Sequence, residues 1–203
     1  LKLKLVPNQR LSFINTFISS DMKNGYDAWA PDNNKDFKTY TDQPGEDSQK
    51  TSAFSSRAVY KGNGWNFVGI ISQSSSDLVH SYDGDWANNM FWEDTLTYGF
   101  DSYYYGYYSP YQFFDKNIRN RKTYTNEIRI IYKSNIIGIY SKRLKEKDRA
   151  KGWLFGGNSA EARSDHDINI ISVYAQGNFN INKKISNTTS LRHENNDVKY
   201  SGR

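Results

Sequence analysis

Between residues 171 and 179 the chain alternates without a break. Ile171, Val173, Ala175, Gly177 and Phe179 interleave with Ser172, Tyr174, Gln176 and Asn178. A period of two places the two sets on opposite faces of a β-strand, one apolar and one wet. Asn180, Asn182, Lys183 and Lys184 supply a turn. The return segment sets Leu191 and His193 against Arg192 and Glu194, so residues 165–199 read as an antiparallel hairpin. The same pattern predicts strands over 1–5, 11–20, 51–60, 65–79, 123–132 and 136–145. Leu11, Phe13 and Phe17 share a face, as do Phe54, Ala58 and Tyr60. Tyr124, Ile128, Ile130 and Tyr132 oppose Thr123, Thr125, Glu127 and Arg129, and Ile137 and Ile139 are in phase on the next strand. The run Val68, Gly69, Ile70, Ile71 interrupts the alternation and leaves the phase of the fourth strand open.

The connections alternate as well. Short turns fall at 7–10, 61–64, 133–135 and 180–184; long polar stretches fall at 21–50, 81–121 and 146–164. This predicts an all-β, antiparallel up-and-down meander of about eight strands, with short turns at one end and long loops at the other. Loops of that length are unusual in compact domains unless they have a function. Within a transmembrane β-barrel the faces can be assigned by cost, since Lys or Arg facing lipid at mid-membrane costs about 2–4 kcal/mol. Thr125, Glu127, Arg129, Gln176, Asn178, Arg192 and Glu194 would then face a wet lumen. Ile128, Ile130, Ile171, Val173, Ala175 and Leu191 would face lipid, with Tyr132 and Phe179 in an aromatic girdle beside the short turns. A soluble β-sandwich carries the same pattern; there Ile128 and Val173 pack against a second sheet.

Composition narrows the choice. Only 36% of residues are hydrophobic, while 16% are aromatic, with 16 Tyr and 5 Trp, so rings carry much of the apolar surface. That balance suits surface-binding β domains and outer-membrane barrels. Without cysteine there is neither a disulfide framework nor a thiolate metal site. No apolar run approaches the length of a membrane-spanning helix, which leaves barrels untouched. The net charge of +5 is spread along the chain, so no nucleic-acid partner is expected. The chain opens inside a strand and closes on Ser201, Gly202 and Arg203 with no closing pattern, so a fragment of a longer protein is expected.

Candidate chemistry concentrates in 81–121. Trp86, Trp92, Tyr98, Tyr103, Tyr104, Tyr105, Tyr107, Tyr108 and Tyr111 are candidate ligand-binding residues, because large rings with polar tips stack on planar ligands and hydrogen-bond at their edges. The structural alternative is an aromatic belt or a loop packed on itself. Asp83, Asp85, Glu93, Asp94 and Asp101 lack the spacing of a calcium loop, and Asp83-Gly84 reads as a plain turn. Glu127 with Arg129, and Arg192 with Glu194, read as same-face pairs that either contact something in the lumen or are solvated ion pairs of small worth. His80, His166 and His193 sit in no ligand-spaced motif and read as solvated surface. No phosphate loop, nucleophile elbow or zinc-protease motif is present, so neither an enzyme nor a cofactor is expected.

Three stretches resemble the barrel of TonB-dependent outer-membrane receptors. They are Tyr82-Asp83-Gly84-Asp85-Trp86 followed by Phe91-Trp92; the strand from Arg121 through Glu127 and Arg129; and the hairpin from Ser172 through Phe179 to Leu191-Arg192-His193-Glu194. His193 stands where the family usually has an aromatic residue. The resemblance implies a barrel of about 22 strands with a plug in its lumen, of which 1–203 would supply roughly a third. No plug segment, coupling segment or closing strand is recognisable. The resemblance further implies ligand capture at the surface of a Gram-negative outer membrane and TonB-energised uptake into the periplasm. Iron-siderophore complexes, cobalamin and glycans are all compatible ligands. The implied partners are outer-membrane lipid, the plug domain of the parent chain (met through Glu127, Arg129, Gln176, Arg192 and Glu194) and the TonB complex. A passive porin and an extracellular carbohydrate-binding sandwich remain as alternatives.

Overall fold

A computed structural model describes residues 1–27, 29–92, 112–154 and 157–203. The strands are β1 (Lys2–Leu5), β2 (Leu11–Tyr26), β3 (Gly45–Lys61), β4 (Trp65–Asp83), β5 (Phe113–Tyr132), β6 (Asn135–Leu154), β7 (Gly157–Asn158), β8 (Ala162–Asn180) and β9 (Ser186–Gly202), with one short helix, α1 (Asn89–Trp92). They form one antiparallel sheet in the order β1-β2-β3-β4-β5-β6-β8-β9, and β7 is a stub on β6. Apart from the β7 stub, which β6 and β8 bypass, each strand pairs with the next in sequence, so the sheet is a meander, and it is not closed.

The short turns lie where the sequence places them. Asn8 Oδ1 accepts from the amides of Arg10 and Leu11, both at 2.9 Å. Asn182 Oδ1 does the same for Lys184 and Ile185, at 2.8 and 2.9 Å. Gly64 takes φ 80° and Lys133 φ 54°, the left-handed values that tight hairpins need.

The long-loop ends differ from the sequence reading. β2 continues to Tyr26 and β3 starts at Gly45; β4 continues to Asp83 and β5 starts at Phe113. The expected third long connection, 146–164, is mostly strand, because β6 runs to Leu154 and β8 starts at Ala162. At these ends both faces are largely polar, so hydrophobic alternation vanishes while the backbone ladder continues. Cross-strand ion pairs take over on the inner face: Arg119 meets Asp148 at 2.7 Å, and Arg121 pairs with Glu146.

Register settles the faces. One face carries Phe67 and Gly69 on β4, Ile128 and Ile130 on β5, Ile137 and Ile139 on β6, Val173 and Ala175 on β8, and Leu191 on β9, all aligned by pairing. The ambiguous fourth strand resolves with Val68 and Ile70 on the opposite face, level with Arg129 and Glu127. Ile128, Ile139, Val173 and Leu191 are 53%, 56%, 49% and 76% exposed. No second layer covers them among the described residues, which removes the sandwich. The chain exposes 14778 Å², whereas a compact monomer of 23.6 kDa would expose about 9,800 Å².

The apolar face is a band with aromatic borders. Trp65 pairs with Tyr132 at the turn end, and Tyr60 lies 5.7 Å from Trp65. Tyr124, together with Phe17 and Phe54 at 4.9 Å, marks the other border. From Tyr124 to Tyr132 the band runs about 27 Å along the strand and, once tilt is allowed for, about 20–25 Å in height. Beyond Tyr124 the strands stand clear of it.

Candidate functional site

Two side-chain clusters stand out, one at the long-loop end and one on the inner face within the band. At the long-loop end, alternate residues of neighbouring strands bring their rings together. The Tyr26 ring meets His80 edge-on at 4.7 Å, His80 lies 5.9 Å from Tyr82, and Tyr82 lies 6.3 Å from Phe113. The connections add Trp29 and Trp86, stacked at 6.0 Å with 28° between their planes. Tyr26, His80, Tyr82, Trp29 and Trp86, with Asp27, Thr41 and Asp83, line a cavity of about 230 Å³. His80 is therefore part of an aromatic cluster, not merely solvated surface, and it pairs with Asp47 at 3.5 Å.

Asp83 and Asp85 are only 4% and 3% exposed. Thr41 Oγ1 donates to Asp83 Oδ2 at 2.7 Å, which ties the 27–44 connection to the end of β4. Asp85 accepts from the amide of Ala87 at 3.2 Å and from that of Phe113 at 2.9 Å, so one carboxyl clasps both ends of the 84–112 connection. Asp83-Gly84 is thus more than a plain turn. A Cβ at Gly84 would overlap the Phe113 ring. Burial pushes the Asp85 carboxyl up to about 6; the amides of Phe113 and Ala87 oppose the rise, and Asp83 beside it adds to it. Burial first, and Asp83 second, also raise Asp27. Trp86 holds φ 65°, a strained value for a bulky side chain, and its ring stacks on Trp29.

A cavity of about 230 Å³ is smaller than the several hundred Å³ of common small-molecule sites, so it suits one ring or headgroup of a larger ligand. Its walls offer ring faces and its floor carboxyl acceptors. Among the ring residues marked in the sequence, Trp86 lines this cavity. Trp92 does not: it lies on α1, 5.2 Å edge-on from Phe91, with its Nε1 buried and without a hydrogen-bond partner among the described residues. Tyr98, Tyr103, Tyr104, Tyr105, Tyr107, Tyr108 and Tyr111 lie outside the described residues, as do Glu93, Asp94 and Asp101.

On the inner face, Glu127, Arg129, Gln176 and Arg192 surround one depression of about 530 Å³, with Tyr140 and Tyr174 between them. Glu194 joins through Arg192, whose Nε donates to it at 3.0 Å. Tyr174 lies across Gly138, where a Cβ would strike its ring, and its hydroxyl donates to Glu127 two strands away. Arg129 Nη1 is 3.6 Å from the same carboxylate, and the Arg192 guanidinium lies 5.5 Å from the Tyr140 ring centre. Arg129 Nε is buried with no hydrogen-bond partner among the described residues. The pairs read as two separate i, i+2 pairs in sequence are one connected patch. The link that sequence reasoning missed is Tyr174 over Gly138, visible only through register.

The fold and the band define a class: an antiparallel meander with the form of a section of a larger β-barrel. No protein-family model matches the chain, and no curated protein matches it. Among solved structures the chain is similar to the ferric yersiniabactin uptake receptor FyuA from Yersinia pestis, at TM-score 0.59 and 11% identity over 99% of its length. That match takes in 33% of the receptor, so the chain spans about a third of it. At such identity the likeness is one of fold.

Proposed function

We propose that the chain forms part of the barrel wall of a TonB-dependent type receptor in the outer membrane of a Gram-negative bacterium. Its long-loop end captures a scarce ligand, and its inner face borders the path of energised uptake. The role is capture and transport, without a chemical step. One observation carries the reading: a single-layer sheet whose apolar face stays uncovered over a band bounded by aromatic rings, while its other face is polar and hydrogen-bonded. That division suits hydrocarbon on one side and water on the other. Similarity in fold to a receptor for ferric yersiniabactin uptake supports the same reading.

On this reading the Trp29–Trp86 cavity holds one ring of the ligand, be it an iron chelate, cobalamin or a glycan. The Glu127–Tyr174–Arg192 patch faces the plug of the parent chain, and the TonB complex acts through that plug. The test is incorporation. The refolded chain is mixed with neutral phosphatidylcholine vesicles, and tryptophan emission and protease resistance are followed. Trp65 lies in the band's border, so a blue shift with protection of the band strands is the expected result. A chain that stays in the aqueous phase, with unshifted emission, would end the proposal.

A further inference from the structure

The outward face of β6 changes character abruptly at the Tyr124 border. Below it stand Ile137, Ile139 and Ser141; above it the next five outward residues are all cations, Arg143, Lys145, Lys147, Arg149 and Lys151, with Trp153 beyond them. The alternate, inward residues are Lys142, Leu144, Glu146, Asp148 and Ala150. The outward five are exposed, while the inward five are half-buried. The two faces also differ in charge balance. Inward, Glu146 and Asp148 are met by Arg121 and Arg119. Outward, Lys122 and Lys199 stand on flanking strands in register with Lys145 and Asp167, adding to the row. The carboxylates facing it there are Asp165, Asp167, Asp197 and, beside Arg149 and Lys151, Glu161, which pairs with Arg163; Asp167 is shared between Arg143 at 2.9 Å and Lys145 at 3.7 Å. The outward face therefore holds a surplus of cations.

Height identifies the occupant. Arg143 pairs in register with Tyr124, level with the border of the apolar band. Lys145 and Lys147 follow at steps of about 7 Å along a tilted strand. A bilayer's headgroup layer extends roughly 5–8 Å beyond each edge of its hydrocarbon, so Arg143, Lys122, Lys145 and Lys147 fall within or just above it. A guanidinium and several ammonium groups directed outward at that level match phosphate oxygens in charge and donor geometry. Each such cation near an anionic membrane surface contributes about 1 kcal/mol.

We propose that the border end of this basic row, Arg143, Lys145 and Lys147, with Lys122 and Lys199 beside it, is a docking site for phosphate-bearing lipid headgroups in the leaflet on the long-loop side. The site rests on the membrane reading above, and the test separates the two. The full chain and an R143Q/K145Q/K147Q variant are refolded and mixed with vesicles of phosphatidylcholine alone, or of equal parts phosphatidylcholine and phosphatidic acid. Tryptophan emission in the neutral vesicles reports incorporation, circular dichroism reports strand content, and native mass spectrometry counts retained phosphatidic acid. We expect both proteins to incorporate alike into neutral vesicles with the same strand content. The parent should retain phosphatidic acid over phosphatidylcholine, and the variant should lose at least roughly tenfold of that preference. Equal retention by parent and variant would overturn the headgroup site while leaving the membrane reading in place. A missing emission shift in neutral vesicles would overturn both. A variant without strand content is replaced by the single change K145Q, for which roughly fivefold is expected and no change overturns the site.

Discussion

At the scale of single residues, Asp85 and Gly138 show how local geometry sets function. Asp85 holds the neck of the 84–112 connection through the amides of Ala87 and Phe113. Asp85→Ala leaves those donors without their acceptor, which costs about 1–3 kcal/mol locally. Faster amide exchange at Phe113, with band strands unchanged, is the expected result. The same carboxyl carries a pH dependence of definite sign. Its folded value of about 6 lies above the 3.8 of the free side chain, so the fold binds the proton more tightly than the unfolded chain does. Stability at the neck is therefore greatest at acid pH and falls as pH rises through about 6. Amide exchange at Ala87 and Phe113, corrected for intrinsic rates, should slow on going from about pH 7 to about pH 5. Asp85→Asn should flatten that profile. At Gly138 an alanine displaces the Tyr174 ring and parts its hydroxyl from Glu127. We expect a loss of about 1–3 kcal/mol in denaturant unfolding in detergent. Little of this was legible in the chain. Asp83, Asp85 and the lone Gly138 carry no spacing motif, and their partners lie at Thr41, Phe113 and Tyr174, brought close only by register.

At the scale of elements, the band strands were legible because their two faces differ in polarity residue by residue. Ile128, Ile130, Ile171 and Val173 against Thr125, Glu127, Arg129 and Gln176 could be sorted from spacing alone. Above Tyr124 both faces are largely polar, the alternation loses its meaning, and the stretch 146–154 of β6 reads as loop. The Val68–Ile71 run hid its phase for a related reason. Val68, paired with Val59 and Arg129, is 1% exposed on the inner face, so an apolar residue there is sheltered by its polar neighbours. A charge at Ile139 distinguishes the faces directly. Ile139→Arg should destabilise the bilayer-incorporated chain by about 2–4 kcal/mol, while Gln176→Lys on the inner face should change it little. Denaturant titration of both variants in phosphatidylcholine vesicles checks this.

At the scale of the whole molecule, the sheet has no core of its own. Its fully buried apolar side chains among the described residues are Val68, Ala87 and Phe91, too few to hold a soluble domain. The stability of the fold depends on what lies against each face and along each edge. β1 covers only residues 13–16 of β2, and β9 is exposed throughout its length. Such edges are templates for further pairing. In buffer without detergent we expect the chain to self-associate, and size-exclusion chromatography checks it; a monodisperse folded monomer is the contrary result. The meander, its short-turn end and the open sheet of a barrel section were readable from the order of turns and the missing closing pattern, but the joining of its long connections was not.

The paired indoles of Trp29 and Trp86 join two connections that are far apart in sequence. Chromophores held at 6.0 Å and 28° share their excitation, so their circular dichroism is a couplet rather than the sum of two separate bands. Whatever prises these rings apart, or slides between them, extinguishes that optical coupling. The protein thus carries an intrinsic, label-free gauge of whether its two outer connections are drawn together or spread.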